Sequence, residues 1–267
     1  MDTLSGLVII VTGASEGIGR ALALALAPRR VSLVLAARNA QRLAELASEC
    51  EAAGSAALAV PTDVTSEAQC RALIDATVAR FGRIDVLINN AGGTMWSRFD
   101  ALADWSVFEL LMRLNYLSAV HLTGLALPWI KQTQGRIVAV ASIAGLTGVP
   151  ERSAYAASKH AMIGFFDSLR IELKGSGVSV TVIAPDFVRS EIHKRALGPD
   201  GRPLGVSPMR QDRIMSAGQC AQLAVRAIEE RQRLLITSTR GRLGRWLKLI
   251  APGAIDRIAA RAIRERH

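Results

Sequence analysis

Leu7-Val8-Ile9-Ile10-Val11-Thr12-Gly13-Ala14-Ser15-Glu16-Gly17-Ile18-Gly19-Arg20-Ala21-Leu22-Ala23-Leu24-Ala25-Leu26-Ala27 holds three kinds of residue in succession. Leu7 to Thr12 is a continuous, β-branched apolar run, the pattern of a parallel strand buried on both faces. Gly13 to Gly19 is a glycine-rich turn. Arg20 to Ala27 is a strong helix former stopped by Pro28. Strand, glycine turn and helix form a dinucleotide-binding opening, because the helix amino terminus offers N–H groups and a positive dipole end to a pyrophosphate. The glycine spacing is Gly-x-x-x-Gly-x-Gly. A tight strand-to-helix turn without a ligand is the plainer alternative.

The alternation continues outward. Further strands are expected at Val31–Ala37, Ala56–Val60, Ile84–Ile88, Gly135–Ser142, Val178–Ala184 and Arg233–Thr237. Helices are expected at Gln41–Ala53, Ser66–Phe81, Asp104 to about Trp129, Arg152–Lys174 and Gln219–Glu230. Such alternation predicts an α/β fold around a parallel sheet. A chain of 267 residues can form one large core. Glu191 to Met215 breaks the pattern with Gly198, Pro199, Gly201, Pro203, Gly205 and Pro208, and reads as a lid or binding loop.

Candidate site residues fall where strands end, which is the ligand edge of such sheets. The second strand closes on Ala36-Ala37-Arg38. A carboxylate there would bind ribose hydroxyls, whereas its absence beside a guanidinium favours a 2′-phosphate and hence NADP(H) over NAD(H). The alternative is that Arg38 merely opens the following helix. Asp63 either caps the Ser66–Phe81 helix or contacts adenine. Asn89 and Asn90 are either turn formers or a tie between strands and cofactor. Asn115 lies inside a helix, so it is a kink or a functional relay and needs partners.

Tyr155-Ala-Ala-Ser-Lys159 places a phenol and an ammonium one helical turn apart. The cation favours the phenolate and draws the tyrosine down from its reference of about 10. A proton donor tuned in this way suits carbonyl/alcohol interconversion. Ser142 stands thirteen positions upstream, at a strand end.

Charge and composition narrow the function classes. The net charge is +10. Met1–Val188 carries 16 basic and 16 acidic residues, and Arg189–His267 carries 17 and 7. A neutral body with a basic end points to a local anionic partner and away from nucleic acid, for which no reading motif exists. The tail, Arg240–Ile250 and Ile255–Arg266, is basic and amphipathic; it either meets an anionic membrane or forms a hydrophobic-substrate entrance, or it packs on the body or a second subunit. No signal peptide and no apolar run of about 18 residues is read, so no span is expected. Cys50, Cys70 and Cys220 have no motif spacing and read as free thiols in a reducing cytosol. His121, His160, His193 and His267 lack metal-ligand spacing, read as surface or helix residues, and imply no metal site.

Taken together, Thr12-Gly-x-x-x-Gly-Ile-Gly19, Asp63, Asn90-Ala91-Gly92, Asn115, Ser142 and Tyr155-x-x-x-Lys159 resemble the short-chain dehydrogenase/reductase family over nearly the whole chain. The resemblance implies a Rossmann-type doubly wound sheet of about seven strands in the order 3-2-1-4-5-6-7. It implies one NAD(P)-binding domain over residues 1–238, including a substrate loop at about 186–216, with a basic extension over 239–267. It implies that Tyr155 exchanges the proton, Lys159 tunes it and binds the nicotinamide ribose, Ser142 holds the substrate oxygen, and Asn115 anchors a water. Gly13, Ser15, Gly17, Ile18 and Gly19 would line the pyrophosphate, with Arg38 at the 2′-phosphate. Asp63, Val64, Asn90, Ala91 and Gly92 would border the adenosine side, and Pro185, Val188 and Ser190 the nicotinamide side.

The implied activity is an NADP(H)-dependent carbonyl reductase or alcohol dehydrogenase, cytoplasmic and a homodimer or homotetramer. Its substrate is a small carbonyl or alcohol entering an apolar pocket near Trp96, Leu146, Val149 and Phe187. A non-catalytic dinucleotide sensor and a peripheral-membrane, steroid-type dehydrogenase are the alternatives. Two residues depart from the family pattern: Asp186 follows Pro185 where glycine is usual, and Glu16 stands where NADP(H) members often carry a base.

Overall fold

The computed structural model describes residues 3–208 and 214–264. The first strand, β1 (Val8–Thr12), is buried at every position. Its side chains alternate between two cores, as strand geometry demands. Ile9 and Val11 join one cluster, while Val8 and Ile10 join the other. This explains the unbroken apolar run.

Six parallel neighbours complete the sheet: β2 (Ser32–Ala37), β3 (Ala56–Pro61), β4 (Val86–Asn89), β5 (Arg136–Val140), β6 (Ser179–Ala184) and β7 (Leu234–Ile236). Their order is β3-β2-β1-β4-β5-β6-β7, all parallel. The doubly wound Rossmann architecture therefore stands as expected, and β1 and β4 end side by side near its middle, where the order reverses.

Helices cover both faces. On the Ile9 side lie α1 (Gly17–Leu26), α2 (Ala40–Ala52) and α7 (Ala217–Glu229). On the other lie α3 (Glu67–Phe81), α5 (Ser118–Gln132) and α6 (Ser153–Glu172). Polar caps set their starts: the Asn39 side chain accepts from the Arg42 amide, the Ser66 side chain from the Gln69 amide, and Ser216 forms a reciprocal capping box with Gln219.

Three local expectations change. The segment read as one helix from Asp104 to Trp129 is α4 (Ser106–Met112), a π-helical turn (Arg113–Leu117) and then α5. Ser66, rather than Asp63, caps α3. His193 is buried in a short 3-10 turn (Glu191–His193), where its Nε2 lies 3.0 Å from the Val188 carbonyl oxygen. Ser106–Gln132 as a whole is long and apolar enough to cross a membrane by length and composition, although polar residues interrupt it and no unbroken apolar run lies within it. It carries buried Asn115 and packs against α3, α6 and the sheet as a core element.

Cys50, Cys70 and Cys220 are buried free thiols. The basic tail forms α8 (Thr239–Ile250) and α9 (Pro252–Arg264), which pack on each other. Residues 209–213 of the expected substrate loop and 265–267 of the tail lie outside the described residues.

Candidate active site

The carboxyl ends of β1, β2, β4, β5 and β6 open into one cleft of about 900 Å³. It runs from Arg38 and Asp63 at one end to Tyr155, Phe187 and the C-terminal helices at the other.

At the nucleotide end, the turn Gly13–Gly19 packs hard against the end of β4. A Cβ at Gly19 would lie 2.3 Å from the Gly13 carbonyl oxygen and 2.5 Å from Asn90 Nδ2, so only glycine fits. The Asn90 side chain donates to the Thr12 carbonyl oxygen at 2.7 Å and to that of Gly13 at 3.3 Å. Thr12 completes the tie: its Oγ1 accepts from the Asn90 and Ala91 amides at 2.9 and 3.0 Å. Of the two asparagines, Asn90 is thus a strand tie, while Asn89 Nδ2 donates to Thr123 Oγ1. The glycine cradle and the α1 amino terminus fit a dinucleotide's diphosphate.

Around the cradle, Asp63 accepts from the Thr65 amide and hydroxyl at 2.9 and 2.8 Å. The Thr65 N–H, aided by the Arg38 charge, holds the Asp63 carboxyl below the usual range. Glu16 is paired twice. Arg42 Nη1 donates to its carboxylate at 3.0 Å, and Arg195, from the segment after β6, donates to the same oxygen. The carboxylate that the sequence placed against a 2′-phosphate is therefore held by two guanidinium groups.

At the reaction end, Tyr155 and Lys159 are buried on one face of α6. Lys159 Nζ lies 5.9 Å from the Tyr155 ring centroid and donates to the Val140 carbonyl oxygen at 2.9 Å. Burial pushes the Lys159 ammonium down to about 8. Asn115 sits in the π-helical turn with no exposed surface. Its Oδ1 accepts from the Gly93 amide at 2.8 Å, and its Nδ2 donates to Ser158 Oγ at 2.9 Å. Ser142 faces the same cleft, and its Oγ accepts from the Ala144 amide at 3.2 Å. Pro185, Val188 and Ser190 line the adjoining wall.

Each residue expected to be catalytic or cofactor-binding lines this cleft, except Gly19 and Asn115, which pack directly against its lining. Several contacts among the neighbouring side chains were not legible in the sequence. Arg152 is buried, stacked 4.6 Å from Trp96, 4.9 Å from Tyr155 and 5.7 Å from Phe187, and donates to Thr94 Oγ1 at 3.0 Å. Its place three residues before Tyr155 was the available signal. Arg195 lies in the segment read as a binding loop and the α8 and α9 residues in the tail read as a substrate entrance, but nothing local tells which distant segment they or Arg42 meet.

The comparisons agree with this fold. A family model described as short chain dehydrogenase matches residues 7–198. "11-beta-hydroxysteroid dehydrogenase 1A" of Arabidopsis thaliana is 34% identical over 96% of this chain and 75% of its own length. "Dehydrogenase/reductase SDR family member 7B" of Mus musculus is 36% identical over 98% and 83%. A crystal structure of a short chain dehydrogenase/reductase from Burkholderia phymatum in complex with NAD superposes with a TM-score of 0.84 at 27% identity, covering 95% of this chain and 96% of that one. The chain belongs to the short-chain dehydrogenase/reductase family of oxidoreductases.

Proposed function

We propose that this protein is an NADP(H)-dependent oxidoreductase that interconverts a carbonyl and a secondary alcohol on a lipophilic substrate, with Tyr155 as the proton donor and acceptor. The observation that carries the reading is the placement of Tyr155, Lys159 and Ser142 in the same cleft as the glycine cradle. The bound dinucleotide supplies or takes up the hydride. The chain's own residues do the rest. Ser142 Oγ holds the substrate oxygen, Tyr155 gives it a proton during reduction, and Lys159 sets its charge beside the phenol and reaches the nicotinamide ribose. Asn115 holds the segment through which a water reprotonates Lys159.

Support for NADP(H) comes from the neutral end of β2 and from Arg38 and Arg42 at the cleft rim. Support for a lipophilic substrate comes from Leu146, Val149, Phe187, Ile255 and Ile258 along the cleft, and from the steroid dehydrogenase names of the relatives. The test is turnover of ketones and aldehydes of graded size with NADPH and with NADH. Tyr155→Phe is expected to abolish turnover while sparing cofactor binding. Undiminished turnover overturns the mechanism, and cofactor binding without turnover of any carbonyl by the parent favours a dinucleotide sensor.

One further observation favours peripheral membrane association. No α8 residue is buried, and Leu243, Trp246 and Ile250 are 65, 64 and 80% exposed. Arg242, Arg245 and Lys248 flank them. The same apolar face would also suit subunit packing in a homodimer or homotetramer, which sedimentation distinguishes from the monomer.

A further inference from the structure

The turn after β6 carries Asp186 where a glycine is usual, and the structure gives this carboxylate three partners. Arg240 Nη2 donates to both of its oxygens, at 2.9 and 3.0 Å. Ser238 Oγ donates at 2.7 Å, and the Phe187 amide at 2.9 Å. The Asp186 amide in turn donates to Thr237 Oγ1 at 3.1 Å. Ser238 also caps α8 by accepting from the Gly241 amide at 2.9 Å. One side chain thus joins the Pro185 turn to the first turn of the C-terminal helices.

The junction is tight. A Cβ at Gly241 would lie 2.9 Å from Ile236 Cγ2 and 3.1 Å from Ile143 Cγ2, so the α8 backbone approaches the residue next to Ser142 directly. A second tie runs from Lys248 Nζ to the Leu146 carbonyl oxygen at 2.9 Å. Held in this way, Gly244, Ile255 and Ile258 complete the far side of the cleft.

We infer that Asp186 is a positioning residue for substrate selection: it fixes α8 and α9 as the distal wall of the substrate chamber, so that carbonyl compounds with an extended apolar body bind against Ile255 and Ile258. This rests on the cleft being the substrate site of the proposed oxidoreductase. Small carbonyl compounds occupy only the Ser142–Tyr155 end and do not sense the wall. Arg240 is 72% exposed and Asp186 11%. Their ion pair alone is therefore weak, and the hydrogen-bonded carboxylate matters more than the guanidinium.

The test compares parent, Asp186→Ala, Asp186→Asn and Arg240→Ala on a small cyclic ketone and on a bulky polycyclic ketone, with saturating NADPH. Asp186→Ala is expected to raise KM for the bulky ketone about tenfold, the scale of a lost apolar contact set. It is expected to leave kcat, and KM for the small ketone, within about twofold on the same scale. Asp186→Asn and Arg240→Ala are expected to lie between. Arg240→Ala leaves the Asp186 bonds to Ser238 and Phe187 in place, and so serves where the alanine variant misfolds. Equal KM changes for both ketones, a fall in kcat for both, or no change in any variant overturns the inference. Failure of the parent to turn over either ketone instead removes the oxidoreductase reading on which it rests.

Discussion

Lys159 has the most altered chemistry among the site residues. In the cofactor-free fold its ammonium is buried and falls from the ordinary 10.5 to about 8. Below about 8 the folded protein holds a poorly solvated charge and bears the whole penalty. Between 8 and 10.5 the folded state has lost the proton that the unfolded chain still binds, so stability rises with pH. Lys159→Met is therefore expected to be more stable than the parent near pH 7 by on the order of 2 kcal/mol, an advantage that fades through this window. Denaturant unfolding at several pH values checks it, and a pH-independent difference between the two proteins refutes it. At this scale residue identity was readable in the sequence and partnership was not. Tyr155, Lys159 and Ser142 announced themselves by spacing. Glu16 and Asp186 stood out as departures, but their partners Arg195 and Arg240 lie 179 and 54 residues away. Only the fold brings such pairs together.

Among the elements, buried strands were the most legible, because a parallel strand covered on both faces needs an unbroken apolar run. Helix ends shifted by a few residues, since local caps such as Ser66 decide them. The helix around Asn115 kept its place but changed its winding. Propensity flags an asparagine there as indifferent and says nothing of a π-helical turn. Asn115 bridges that turn to the Gly93 backbone and to Ser158 on α6. Asn115→Ala leaves the half-buried Gly93 amide without its acceptor, removes the bond to Ser158, and is expected to cost about 1 kcal/mol or more. Thermal unfolding of the cofactor-free protein measures this, and an unchanged melting temperature would mean that another group satisfies the amide.

Over the whole molecule, charge is segregated: a balanced body and a basic carboxyl end that folds into α8 and α9 at the cleft mouth. If that end meets an anionic bilayer, the full chain floats with phosphatidylserine vesicles and not with neutral ones, and Trp246→Ala together with Leu243→Ala weakens flotation at least about threefold. Absence of flotation by the parent excludes membrane attachment through this face. The sequence displayed the charge asymmetry openly, while the attachment of the tail to the cleft through Asp186 depended on tertiary geometry. The same distribution gives the nucleotide end an unusual character. Glu16 already occupies Arg42 and Arg195 before any phosphate arrives. A 2′-phosphate bound there would compete with a resident carboxylate for those guanidinium groups. Preference between the two nicotinamide dinucleotides would then reflect the difference between these competing pairings as well as the arginines at the rim.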